Sequence, residues 1–308
     1  MEDQSNDFYS WMNQFKVKFR EPCTHCSMNS PSGSYYISST KDTNSLWTRY
    51  QNTAIKKQHL SVTEKPELYS PLRIDFDFKY TADDLTRIYN SHEVTKIVSY
   101  FQEAISDIIS TDALSYEPRT LWCVVLEKKR PRHTEDDTVK KDGFHLHFPF
   151  FICEDWVFQY TRKVVSERLK KDNMWKDKQL LKSVTETIDR GISGKTWLLY
   201  GSVKEKGAEP YLATFCLNES GRRVSLDEMF INEMIDRKNK VRYYLPTFLS
   251  IRGFQEITPL NGESEMKRRI VIPKPVVRNI TKKRSEKEVA EDLKVIVDGD
   301  IMDMISED

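Results

Sequence analysis

Residues 72 to 80 read LRIDFDFKY. Laid out as a strand, the stretch sends Leu72, Ile74, Phe76 and Phe78 to one face and Arg73, Asp75 and Asp77 to the other, because successive strand side chains alternate. The apolar face asks for a core. The opposite face sets two carboxylates side by side, an arrangement that repels itself unless a cation or a ring of donors lies between them. The alternative is a solvated face on which Arg73 is the counter-ion. This strand therefore calls for a sheet with one buried side and leaves open what its acidic side meets.

Working outward, SHEVTKIVSYFQEAISDII (91–109) places Val94, Ile97, Val98, Phe101, Ile105 and Ile108 at helical spacing, with Ser91 available as N-cap. TLWCVVL (120–126) reads as a buried strand, EKKRPRHTEDDTVKKDG (127–143) as a long polar hairpin loop, and FHLHFPFF (144–151) as the returning strand. A second helix follows from about 154 to 170. GKTWLLYGSVK (194–204) reads as a further strand running into a loop, and YYLPTFLSIRG (243–253) as apolar structure near the end of the core. The order of elements is that of an α+β fold. Residues 1 to about 70 read as a leading segment packed on that core, punctuated by MNSPSGSYYISS (28–39).

A core of 1–264 is expected, followed by a charged linker and amphipathic tail over 265–308, where Ser285 and Glu288 have capping-box spacing ahead of Val289, Leu293, Ile296 and Val297. The chain has 308 residues, 38% of them hydrophobic and 31% charged, a globular and not a low-complexity composition. Lys+Arg of 48 against Asp+Glu of 47 gives a net charge of +1, so a nucleic-acid partner has to be held by local basic clusters. Five cysteines, at 23, 26, 123, 153 and 216, lack the dense spacing of a secreted disulfide scaffold and point to a reducing compartment. The opening MEDQSNDFYSW is acidic where a signal peptide is basic and then apolar, and no apolar run reaches membrane-spanning length, so cytosol or nucleus is expected, without a membrane partner. CTHC (23–26) has the form of half a zinc site or a redox pair, but no second Cys/His pair at ligand spacing accompanies it.

The returning strand repeats the theme of the first. Phe144, Leu146, Phe148 and Phe150 alternate with His145 and His147, so two histidines share one polar face beside the basic approach KKDG (140–143). That pattern fits an anion or metal site; the competing reading is a pair of structural histidines. Further on, TIDRGISGKTWLLYGSVK (187–204) offers Asp189, Lys195 and Lys204. Three carboxylates with histidine and lysines suit metal-dependent phosphoryl chemistry. Within this segment GISGKT (191–196) imitates a P-loop, yet it has two residues where the motif needs four, and an apolar strand-like run follows where a helix is required.

The order IDFD (74–77), KDGFH (141–145), then ID (188–189) ahead of WLLYGSVK resembles the three motifs of the archaeo-eukaryotic primase superfamily, and the flanks resemble the primase half of large DNA virus primase-helicases. The resemblance covers about residues 20 to 255. It implies a catalytic core with an RRM-like antiparallel sheet beside a smaller α/β unit, acting as a DNA primase that makes short primers on a single-stranded DNA template from nucleoside triphosphates for viral genome replication. In the full-length chain it implies a helicase module further on, and a replication site in the host cytoplasm or nucleus. It further implies metal ligation of Mg²⁺ or Mn²⁺ by Asp75, Asp77 and Asp189, with two ions on the order of 4 Å apart. His145 becomes the motif histidine, since Gly143 is the small residue two before it, and Lys141, Lys204 and Ser202 fall among the nucleotide-binding positions. Relatives carry an arginine where this chain has Trp197, Leu198 and Leu199; Lys195 is the nearest substitute and a poorer one, because lysine cannot grip phosphate bidentately. His147 is expected to support the site without touching phosphate.

Two readings of other classes remain at this stage. One is a metal-dependent nuclease or phosphoesterase in which His145 and His147 are ligands. The other is a non-catalytic single-strand-binding replication-initiator module.

Overall fold

The computed structural model describes residues 4–29, 31–55, 60–109, 117–192, 194–205, 207–232 and 241–254. The charged stretch expected from 265 onward, with its Ser285 and Glu288 cap, lies outside them, as does the boundary expected at 264. The strands are β1 (Lys16–Val17), β2 (His25–Ser27), β3 (Gly33–Tyr35), β4 (Val62–Glu64), β5 (Ser70–Thr81), β6 (Cys123–Glu127), β7 (Arg132–His133), β8 (Val139–Cys153), β9 (Trp197–Leu198), β10 (Leu212–Leu217) and β11 (Arg223–Val224). The helices are α1 (Gln4–Met12), α2 (Thr40–Ile55), α3 (Ser91–Ser106), α4 (Asp155–Lys171), α5 (Leu226–Phe230) and α6 (Val241–Phe248). They form the α+β fold expected from the sequence, built on two antiparallel sheets. The larger runs β11-β10-β6-β8-β5, with β7 also on β8; the smaller runs β1-β3-β2-β4-β9.

The larger sheet is fixed by β5 and β8. Leu72, Ile74, Phe76 and Phe78 are each no more than 2% exposed, and their alternation sets which face is buried. On that face Phe76 stacks on Phe144 across the strands and meets Phe101 of α3 edge-on, while Trp175 stands edge-on to Phe78. Helix α3 is capped one residue before the expected position. The Asn90 side chain accepts from the backbone N–H groups of His92 and Glu93, and the Glu93 carboxylate accepts from the Asn90 N–H, closing a capping box that makes Ser91 the first helical residue.

The opposite face of the larger sheet is covered by α5 and α6, with Val124, Leu126, Cys216, Met229, Phe230 and Leu245 in one apolar cluster. Phe150 belongs to this cluster and not, as the alternation predicts, to the side of Phe144. The register between β5 and β8 shifts between Pro71 and Leu72, which pair with Ile152 and Phe148, so β8 gains extra residues there and Phe150 turns over to pack on Phe230.

Two other expectations change in extent. The hairpin loop is shorter than predicted, since β8 starts at Val139 and takes in KKDG. Of the 194–204 stretch only Trp197 and Leu198 are strand, paired with Glu64 and Thr63 of β4, because the chain turns at Gly194 and at Gly201, where φ is +75° and +85°. The leading segment does more than pack on the core: it builds the smaller sheet, with Phe8, Met12, Tyr35, Leu46, Tyr50 and Val62 in a cluster of their own that also takes in Leu199.

Candidate active site

The three acidic positions come together by strand pairing. Asp75 lies opposite His145, and Asp77 opposite Gly143, in the β5–β8 ladder. On the free edge of β5 the segment 187–189 runs antiparallel: the Asp77 N–H donates to the Thr187 carbonyl at 2.8 Å, the Asp189 N–H donates to the Asp75 carbonyl at 3.0 Å, and Phe76 bridges to Ile188. Asp189, Asp75 and His145 thus form one row across the sheet, with Ile188 turned to the core beside Phe76. Arg162 of α4 fastens this added segment by donating to the carbonyls of Ile188 and Thr185 at 3.1 and 3.0 Å.

Basic groups surround the row. His145 Nε2 stands 3.3 Å from Asp75 Oδ1, Lys141 Nζ 3.7 Å from Asp77 Oδ2, and Lys182 Nζ 3.9 Å from the same oxygen. Burial pushes the Asp75 carboxyl up, but His145, by charge and by hydrogen bond, together with Lys204 and Lys141, outweighs it and holds the group below its ordinary value. Asp77 lies above its ordinary value: burial and the charge of Asp75 raise it more than Lys141, Lys182 and Lys204 lower it. The two carboxylates are therefore unequal, and Lys204 acts on both. Asp189 gives one carboxylate oxygen to the N–H of Gly191 at 2.8 Å, and the Lys195 ammonium lies against Gly191.

Gly143 shows why the motif needs a small residue. A Cβ there would lie 2.2 Å from the carbonyl oxygen of Phe76 and 3.4 Å from the Tyr211 hydroxyl. Tyr211 lies over the same two motif positions: its ring stacks on His145 with centroids 3.6 Å apart, and the Trp197 ring packs on the imidazole at 4.5 Å, tilted by 43°. Lys128 sits over the Tyr211 ring at 4.9 Å; burial, then the charges of Arg132, Lys204 and Lys141, lower its ammonium to about 8.

The remaining expected residues are placed differently. His147 is 1% exposed, and burial with the nearby Arg73 charge drives its imidazole down to about 3, so it is neutral and away from the row of carboxylates. Arg73 is not the counter-ion of Asp75: its terminal nitrogens donate to Ser70 Oγ at 2.9 Å and to the Ile192 carbonyl at 3.4 Å, and its guanidinium lies 5.8 Å from the Trp197 ring centre. A cavity of about 360 Å³ opens beside it, lined by Ser70, Cys153, Asp155 and Ile192 but by none of the three aspartates. The Ser202 hydroxyl is engaged by Tyr50 Oη at 2.8 Å and accepts from the Val62 N–H at 3.0 Å, which ties the 199–204 turn to the smaller sheet. Lys140 points to the far side of β8, toward His133. The P-loop imitation is a turn closed by the Lys195 N–H on the Ile192 carbonyl, followed by β9 and not a helix.

Sequence reasoning missed Lys182, Lys128, Tyr211 and Trp197. None sits in a periodic pattern with the aspartates; each arrives from a different connection, and only the neighbourhood of Trp197 to Lys195 hinted at one of them.

All the donors to a metal here would be carboxylate oxygens, which suits a hard divalent ion. Asp75 Oδ1 is buried, faces His145 Nε2 at 3.3 Å and has no other hydrogen-bond partner. Among the described residues no group of three or more His, Cys, Asp or Glu side chains is placed to hold a metal ion, and Lys141 and Lys182 take up the charge beside Asp77.

An antiparallel sheet with paired acidic residues on its long outer strand and a histidine facing them from the next strand is the arrangement of a primase-type core. Residues 24–217 match the family model described as the C962R protein N-terminal AEP domain, where AEP denotes the archaeo-eukaryotic primase type, and the chain belongs to this family. It is 32% identical over 252 residues to the helicase-named protein 184R of Invertebrate iridescent virus 6, covering 74% of this chain and 25% of that protein. It is 27% identical over 312 residues to the helicase-named 121R of Invertebrate iridescent virus 3 (85% and 32%), and 26% identical over 261 residues to the helicase-named L207/L206 of Acanthamoeba polyphaga mimivirus (82% and 26%). The chain spans 25 to 32% of the length of these relatives. No described helix is long and apolar enough to cross a membrane.

Proposed function

We propose that this chain is a DNA primase domain, a template-directed nucleotidyltransferase that joins nucleoside triphosphates into short primers on single-stranded DNA during viral genome replication. The observation that carries this reading is the single row of Asp189, Asp75 and His145 beside Asp77, assembled from two strands and an edge segment that are far apart in sequence. Asp75, Asp77 and Asp189 are the residues that would hold Mg²⁺ or Mn²⁺. A divalent ion so bound favours ionisation of an attacking 3′-hydroxyl and offsets charge on the departing pyrophosphate.

The chain's own groups supply the rest. Lys141, Lys182, Lys195 and Lys204 ring the carboxylates with positive charge and bind the triphosphate. His145 is held by Tyr211 and Trp197, so that its Nε2 stays at the Asp75 edge where a phosphate oxygen arrives. Ser202 acts by fixing the turn that carries Lys204, since its hydroxyl is spent on Tyr50 and Val62. The long relatives carry helicase names, and a helicase module following this domain in the full-length protein is part of the proposal, as is action at the viral replication site in the cytoplasm or nucleus of the host.

The test is synthesis on an unprimed single-stranded DNA template with labelled nucleotides and Mg²⁺ or Mn²⁺. Short products from the wild type and none from Asp75→Asn are expected. Cleavage of the template in place of synthesis would favour a phosphoesterase, and neither reaction, with no metal bound, would favour a binding module.

A further inference from the structure

The Cys-Thr-His-Cys stretch plays no part in the site described above, and the structure gives it a chemistry of its own. Cys23 and Cys26 are free thiols, both half-buried, with their sulfurs 3.9 Å apart, close enough for a hydrogen bond. The backbone between them is held in place. The Thr24 N–H donates to the Tyr35 carbonyl, the Ile37 N–H donates to the Thr24 hydroxyl, and Cys26 pairs with Ser34 and Thr63 in the smaller sheet. His25 is turned away, toward Glu64 at 3.6 Å, and so is not available as a third ligand beside the two sulfurs.

The two thiols are not equivalent. The shared hydrogen bond with Cys26 and the charge of Lys65 lower Cys23 to about 5, while the bond with Cys23 and burial raise Cys26. A thiolate beside a protonated partner thiol is the arrangement of an attacking and a resolving cysteine.

We propose that Cys23 and Cys26 form a thiol–disulfide exchange site for low-molecular-weight disulfides. Cys23 Sγ attacks one sulfur of the small disulfide, forming a mixed disulfide and expelling one small thiolate, which takes up a proton. Cys26, losing its proton, then attacks Cys23 Sγ and expels the second small thiol. The protein dithiol is oxidised by two electrons and the small disulfide is reduced to two thiols, so the exchange balances.

The test is incubation of the intact chain with glutathione disulfide, followed by mass spectrometry and peptide mapping. A loss of two mass units localised to the 23–26 peptide and reversed by dithiothreitol is expected in the wild type. Cys26→Ser should stop at a stable glutathione adduct on Cys23, and Cys23→Ser should acquire adduct on the order of tenfold more slowly. Limited alkylation of the wild type at pH 6 should label Cys23 ahead of Cys26. Equal labelling of the two, adducts on the buried cysteines instead, or no disulfide at this peptide would overturn the proposal. So would one equivalent of Zn²⁺ protecting both thiols from alkylation, which would make the pair a metal site. None of these readouts depends on primer synthesis.

Discussion

Two regions of this molecule carry the candidate site, and they are built in opposite ways. Strands β5 and β8 pair continuously from Leu72 to Thr81, and their ladder fixes Asp75, Asp77, Gly143 and His145 to within the geometry of a sheet. The segment from Thr187 to Lys204 contributes Asp189, Lys195 and Lys204 from two edge hydrogen bonds, turns and the two-residue strand β9. One half is held by cooperative backbone pairing, the other by a few side-chain ties such as Arg162 and Ser202. The proposed reaction, which would admit a triphosphate and release pyrophosphate, would benefit from this division: Asp75 and Asp77 stay put while the side that carries Asp189, Lys195 and Lys204 can adjust.

Substitutions can break that comparison. The largest effect is expected from Asp75→Asn and Asp77→Asn, each lowering nucleotide incorporation on the order of a thousandfold, about 4 kcal/mol of transition-state stabilisation, in a primer-extension assay, with an unchanged circular dichroism spectrum. A loss below about tenfold in either would detach these aspartates from the chemistry.

The two glycines next in line separate the rigid half from the adjustable one. At Gly143 an added methyl meets the Phe76 backbone, which cannot move without opening the ladder, so Gly143→Ala should cost about 1 to 3 kcal/mol in denaturant unfolding as well as activity. At Gly191 an added methyl meets the flexible end of Lys195, at 2.6 Å, and comes no closer than 3.4 Å to the Asp189 carboxylate. Gly191→Ala should leave the unfolding midpoint unchanged and reduce incorporation by only about threefold, less than 1 kcal/mol. Equal destabilisation by both would erase the distinction.

Between these two in size stands an effect of pH on the β5–β8 ladder. His147 stays neutral in the fold down to about pH 3, whereas in the unfolded chain it gains a proton below its ordinary 6.5. The unfolded state thus binds more protons throughout that window, and stability falls as pH drops through it, by about 1.4 kcal/mol per unit for this one group. Asp142, raised to about 6 by burial, works in the opposite direction above pH 4 and partly masks the effect in the wild type. The loss of stability between pH 7 and pH 5 should therefore be about 2 kcal/mol smaller in His147→Asn than in the wild type.

The same contrast explains what could be read from the sequence. Strand alternation identified the core face of β5, the shared face of Asp75 and Asp77, and the shared face of His145 and His147, because a period of two is imposed by the backbone itself. It failed at Phe150, where an irregularity in pairing reverses the face, and at the 194–204 stretch, where apolar Leu198 and Leu199 look like strand but glycines at positive φ end it. Asp189 was a candidate on residue type, and the resemblance gave it a ligand's place, but nothing local states that residues 187–189 will add to the edge of β5. Lys182, Lys128 and Tyr211 reach the site through tertiary folding alone, and no spacing rule connects them to it. Arg73, the natural counter-ion on paper, is drawn off by Ser70, Ile192 and Trp197.

The central claim is that three carboxylates from these two unlike regions form one metal-dependent site. It is tested most directly by titrating Mn²⁺ into the protein in the presence of a nucleoside triphosphate and following the free ion by electron paramagnetic resonance. The account predicts ion binding by the wild type that is lost or weakened on the order of tenfold or more in each of Asp75→Asn, Asp77→Asn and Asp189→Asn, all three remaining folded. Unchanged Mn²⁺ binding in Asp189→Asn, with loss in the other two, would contradict it and confine the site to the β5 pair.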